Sequence, residues 1–125
     1  MSRVTQVVVV AHPVDRSHME ELAFWMTERN VNDDPAYGRV GNLLPLDEGW
    51  GGYKRQSSEL CAAACNYLDA PGFLAHVAKI NWDERAVVQI LVQEEEDEYF
   101  RLYMLRGDGL REFTPPPEAG PPPIS

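Results

Sequence analysis

Residues 57–68, SSELCAAACNYL (Ser57 to Leu68), are the stretch on which the architecture turns. The run is alanine-rich, and Ser57 or Ser58 is suited to cap a helix. Cys61, Ala64, Cys65 and Leu68 then recur at i, i+3, i+4 and i+7, which predicts a helix with those residues on its inner face. Cys61 and Cys65 would lie one above the other and read as small buried residues packed on a sheet. A metal pair would need further ligands, which no nearby His or Cys supplies. A disulfide within one helical turn is geometrically poor.

Upstream, Val4 to Ala11 (VTQVVVVA) reads as a central strand buried on both faces and ended by His12-Pro13. Ser17 to Asn30 reads as a helix, with Ser17 and Glu20 as a capping box and Asn30 as a left-handed C-cap. Val31 to Tyr37 is a polar loop, and Arg39 to Leu46 is a weaker strand whose Gly41 and Pro45 suit an edge or a bulge. Asp47 to Arg55 (DEGWGGYKR) is a glycine-rich loop.

Downstream, Pro71 to Ile80 reads as a short helix with Phe73, Leu74, Val77 and Ile80 as its apolar stripe. Ala86 to Gln93 alternates as a half-buried strand, with Ala86, Val88, Ile90 and Val92 sharing one face. Glu94 to Glu98 is a solvated turn, because five adjacent carboxylates would lose hydration without partners. Tyr99 to Arg106 completes a hairpin, Asp108-Gly109 marks another turn, and Leu110 to Phe113 forms a short strand. Thr114 to Ser125 holds six prolines in twelve residues and reads as a disordered or polyproline-like tail.

The expected fold is α+β (mixed α/β): a single domain over 1–113 with a tail over 114–125. Its order is β-α-β-α-α-β-β, a two-layer sandwich with helices against a small mixed sheet. If Gly51 to Arg55 is instead a short strand paired with Arg39–Pro45, the order begins βαββα, which is ferredoxin-like.

Composition narrows the function. The 125 residues carry 11 Lys+Arg and 20 Asp+Glu, a formal net charge of −9. That balance argues against nucleic acid, whose phosphates call for clustered Lys and Arg. No run approaches the ~20 apolar residues of a membrane helix, so no membrane is expected. Free thiols and the lack of a leader-like segment predict a cytoplasmic protein.

If the first three strands are parallel, their carboxyl ends bring His12, the glycine-rich loop and the acidic turn to one edge, the usual ligand crevice of open α/β sheets. Trp50, between glycines, either plugs the end of the core or anchors a partner together with Tyr53 and Lys54. The loop matches no phosphate-binding pattern. Glu94, Glu95, Glu96, Asp97 and Glu98 are either a plain solvated turn or a docking field that steers a basic partner. They lack the ligand spacing of a calcium loop. His12, Asp15 and His18 (H-x-x-D-x-x-H) read first as backbone and solvent contacts, and no metal or other cofactor is expected.

Three segments together resemble a group of small bacterial proteins: Trp50-Gly51-Gly52-Tyr53-Lys54; Ala62 to Asp69 (AAACNYLD); and Trp82 with Val88-Gln89-Ile90-Leu91-Val92 and Phe100-Arg101-Leu102-Tyr103. The resemblance covers roughly residues 40 to 106 and implies a shared fold, with no catalytic assignment to transfer. Nine Arg against two Lys suggest a GC-rich genome. Size and acidity are similar to those of immunity proteins and phage-encoded inhibitors.

The function expected first is a non-enzymatic, protein-binding module of immunity or inhibitor type covering a basic partner site. Glu94 to Glu98 would steer, and Trp50, Tyr53 and Trp82 would anchor. The alternatives are a small-molecule-binding domain or enzyme using His12 with Asp47, Trp50 and Lys54, and a structural homodimer paired through strand edges.

Overall fold

The computed structural model describes residues 3–33, 36, 38–46, 50–54 and 56–115. Asp47 and nearly all of the proline-rich tail lie outside them. The elements are β1 (Val4–Ala11), α1 (Arg16–Arg29), β2 (Leu44–Pro45), β3 (Glu59–Asn66), α2 (Ala70–Lys79), β4 (Gln89–Gln93), β5 (Arg101–Arg106) and β6 (Gly109–Phe113), with 3-10 turns at Pro13–Asp15 and Arg85–Val87. Two helices and a six-stranded sheet make an α+β fold, with strand order β2-β3-β1-β4-β5-β6.

The helix expected from Ser57 to Leu68 is a strand. All eight residues of β3 pair antiparallel with β1, from Val4 opposite Asn66 to Ala11 opposite Glu59. β1 pairs antiparallel with β4 on its other side. Each residue of a central strand carries backbone groups that must be matched when buried, and this context overrides the helix propensity of alanine. The sheet is therefore antiparallel between all neighbouring strands, not mixed. The parallel arrangement that would have gathered strand carboxyl ends at one edge does not occur.

Segment 40–46 runs along β3, held by Asn66 N–H donating to Val40 O (2.7 Å) and Leu46 N–H donating to Leu60 O (2.8 Å). Only Leu44–Pro45 form regular ladder pairs, as Pro45 at a sheet edge permits. Helix α1 ends where expected: Asn30 takes φ +47° and its N–H donates to Met26 O. No side-chain bond caps its start, so the Ser17/Glu20 capping box is absent. Helix α2 is capped at its start by Asp69, whose carboxylate accepts from Gly72 N–H. The strand expected from Ala86 starts three residues later, at Gln89, because Arg85–Val87 turn.

The core is one layer between the helices and one face of the sheet. Val7, Val9, Val88, Ile90 and Leu105 meet Leu22, Met26, Phe73 and Val77, all buried. In β1, Val4 and Gln6 are exposed while Val8 and Val10 are half-buried, so the strand is covered on one face and not on two. The two helices touch through the Trp25 and His76 rings, stacked at 3.8 Å. Burial, with Lys79 and Arg29 nearby, holds the His76 pKa below its ordinary 6.5. The unfolded chain then binds more protons than the folded one near that pH. The contribution of this stack is present above pH ~6.5 and is lost as pH falls through the lowered folded value. Chemical denaturation should find the chain less stable at pH ~5 than at ~7.5, with that slope reduced in His76→Phe.

Candidate functional site

Three regions carry polar chemistry: the corner before α1, the acidic turn, and the sheet face opposite the helices. At the corner, Asp15 is fully buried. Its Oδ1 accepts from Asp83 N–H (2.7 Å) and its Oδ2 from Glu84 N–H (2.9 Å). His18 Nδ1 lies 2.8 Å from Oδ1. Burial pushes this carboxyl up, but the two backbone donors and the imidazole outweigh it and hold its pKa below 3.8. Donor atoms of Asp15, His18 and Asp83 lie within 4.8 Å of one another. Both Asp15 oxygens are engaged within the protein, so the cluster ties residues 83–84 to the start of α1.

The H-x-x-D-x-x-H spacing therefore brings Asp15 and His18 together and leaves His12 outside. His12 is exposed, and its Nδ1 accepts from Val14 N–H at 3.0 Å. A neutral His12 thus carries its proton on Nε2. It borders a depression of about 400 Å³ with Val10, Ser57, Ser58, Val87 and Met104. Neither Trp50 nor Lys54 borders that depression.

The acidic turn is a built structure. Asp97 N–H donates to Glu94 O (2.9 Å), and Asp97 Oδ2 accepts from Glu94 N–H (3.0 Å). Arg101 reaches back to Glu94 (2.9 Å) and Asp97 (3.1 Å), seven and four residues away. Two of the five carboxylates are thus paired, and Glu95, Glu96 and Glu98 stay exposed. In the glycine-rich loop Trp50 is 47% exposed and donates from Nε1 to Leu46 O (3.1 Å). Tyr53 and Lys54 are exposed. Trp82 is 5% exposed and donates from Nε1 to Val77 O (3.1 Å). It belongs to the core and offers no surface to a partner.

Both thiols are free and buried. Burial, with the nearby charge of Glu59, raises the Cys61 pKa to about 12, and burial raises that of Cys65 to about 11. Neither should react with a thiol reagent at pH ~8 until the chain unfolds. Reagent uptake without denaturant would contradict this.

The third region is one that sequence reasoning missed. Strand register places Gln6, Val8 and Val10 of β1 beside Gln93, Leu91 and Gln89 of β4 and Ala64, Ala62 and Leu60 of β3, on the side without helices. Leu102, Met104 and Arg106 of β5, and Arg111 and Phe113 of β6, continue that face. A second depression, of about 280 Å³, lies on it between Ala62, Ala64, Gln6, Val8 and Phe100. No described helix is long and apolar enough to cross a membrane. Comparison with protein-family models, with curated proteins and with solved structures finds no match to this chain.

Proposed function

We propose that the chain is a small, non-enzymatic protein-binding module whose working surface is the uncovered sheet face with its acidic rim. One observation carries this reading: both helices lie on one side of the sheet, and among the described residues no second layer covers Val8, Val10, Leu91, Leu102 and Met104. A half-buried apolar face of this kind, rimmed by polar groups, is a candidate interaction site. Glu95, Glu96 and Glu98 stand at one end of it and would speed encounter with a basic surface. Trp50 and Tyr53 are exposed and remain free to serve as secondary anchors. Covering a basic partner site in the cytoplasm, as immunity proteins and inhibitors do, is the sharpest form of this reading. The strand order also supports a ferredoxin-like plan, in which β1-α1-β2 and β3-α2-β4 interleave and the β5–β6 hairpin extends one edge.

A photoreactive residue in place of Leu91 samples this face, and one in place of Phe24, exposed on α1, samples the other side. Irradiation in the native lysate should give protein adducts from position 91 and none from position 24. No adduct from position 91, or equal adducts from both, would overturn the assignment.

A further inference from the structure

We infer that the occupant of the uncovered sheet face is a second copy of this chain, packed face to face about a two-fold axis that lies in the interface and runs across the strands. The inference rests on the reading above, that this face is the working surface, and takes the basic site it meets to be the Arg106 and Arg111 end of the second copy rather than a different protein.

Charge distribution is the first argument. The chain has 20 acidic residues and a net charge of −9. None of those carboxylates occupies an open-face position in the strand registers, where the only charged residues are Arg106 and Arg111. An acidic surface that clears its acids from one face removes the repulsion that would otherwise keep two copies apart. The two ends beyond the face differ in charge, although the arginine end also carries the exposed Asp108 of the β5–β6 turn. Glu95, Glu96 and Glu98 follow the Gln93 end of β4, while Arg106 and Arg111 lie toward the opposite end of β5 and β6. Arg106 is held by neutral groups: its guanidinium sits 6.0 Å from the Phe113 ring centroid and donates to Ala86 O at 3.2 Å. Among the described residues no carboxylate pairs with Arg106 or Arg111.

Symmetry makes this arrangement self-complementary. A two-fold axis across the strands reverses strand direction in the partner and sets each acidic end over the other copy's arginine end. An isologous interface makes every such contact twice. Two sheets stacked this way pack ~10 Å apart with interleaved side chains.

Area is the second argument. Strands ~4.8 Å apart and ~17–20 Å long give a footprint on the order of 500 Å² per copy. The pair buries ~1,000 Å² or more, the threshold for a specific interface. Pairing through the β2 edge is a poorer route, because that strand is two residues long and contains Pro45.

Sedimentation equilibrium on the full chain tests the inference. The wild type should sediment at twice the monomer mass, and Leu91→Lys, with an unchanged far-UV spectrum, as a monomer. Arg106→Glu/Arg111→Glu and Glu95→Lys/Glu96→Lys/Glu98→Lys should each weaken self-association at least ~10-fold at low salt. Mixing those two variants should restore a heterodimer, since every end then meets its opposite. A monomeric wild type, a dimer that survives Leu91→Lys, or charge variants that associate as well alone as when mixed would each overturn it. A monomeric wild type whose position 91 still captures a different protein would refute the second copy and leave the binding face standing.

Discussion

Replacing Asp15 with alanine is expected to cost about 3–5 kcal/mol of folding stability. The expectation follows from the number of donors the carboxylate serves. The backbone N–H groups of Asp83 and Glu84 and the His18 ring all point at its two oxygens. Alanine leaves the three without their acceptor in a partly buried site. Asparagine keeps one accepting oxygen but turns an N–H toward a donor, and should cost about half as much. The pH dependence identifies the mechanism. A carboxyl held below its ordinary pKa contributes stability above the ordinary carboxylate range, and that contribution is lost as pH falls through the lowered value. Urea titrations of Asp15→Asn should therefore show a shallower acid slope than the wild type. A loss under ~1 kcal/mol in the alanine variant would show that other contacts hold the 83–84 loop. With a total stability of about 5–15 kcal/mol for a domain of this size, the predicted loss brings the fold near its limit.

The strength of that tether was not legible in the sequence, and the reason is particular. Asp15 stands between two histidines, a spacing that invites a metal reading, whereas two of its partners are backbone groups 68 and 69 positions away. Backbone donors leave no mark on residue identity. Arg101 is similar: the acidic run was visible, but its pairing back to Glu94 and Asp97 depends on where the turn closes. What the sequence did carry was local: β1, α1 with Asn30 as its left-handed cap, the α2 stripe and the final hairpins. The failure at Ser57–Leu68 has a geometric cause. Cys61 and Cys65, four apart, share a face in a helix and also in a strand, since four is close to the helical period and an even number for a strand. Alanine then tipped the reading toward helix. The run contains no β-branched residue, so strand propensity gives no counterweight. Reading that strand as a helix removes the β1–β3 ladder, and with it the sheet face that no described element covers.

Trp82→Ala is expected to destabilise the chain by about 3–5 kcal/mol and to leave the surface of the folded molecules unchanged. The indole is buried between the end of α2 and the corner before α1. Its Nε1–H donates to Val77 O in the last turn of α2, and its ring meets the edge of His18 with centroids 5.8 Å apart. Truncation opens a cavity and also leaves the Val77 carbonyl without its side-chain donor. Trp82→Phe refills most of the volume but not the hydrogen bond, so it should cost about 1–3 kcal/mol. Trp82 immediately precedes Asp83, whose N–H is bound by Asp15, and its ring meets His18, which also bonds Asp15, so the two side chains secure the same loop. The double variant Asp15→Ala/Trp82→Ala should therefore lose less than the sum of the single losses, with a coupling of about 0.5–3 kcal/mol. Trp50 is the control. It is half exposed, and Trp50→Ala should change stability by no more than about 0.5 kcal/mol. If Trp82 were instead an interface anchor, its replacement would weaken partner binding by molecules that remain folded. Titrating a partner at a temperature well below the melting transition separates the two cases: the core role predicts a smaller folded fraction with the affinity of that fraction intact.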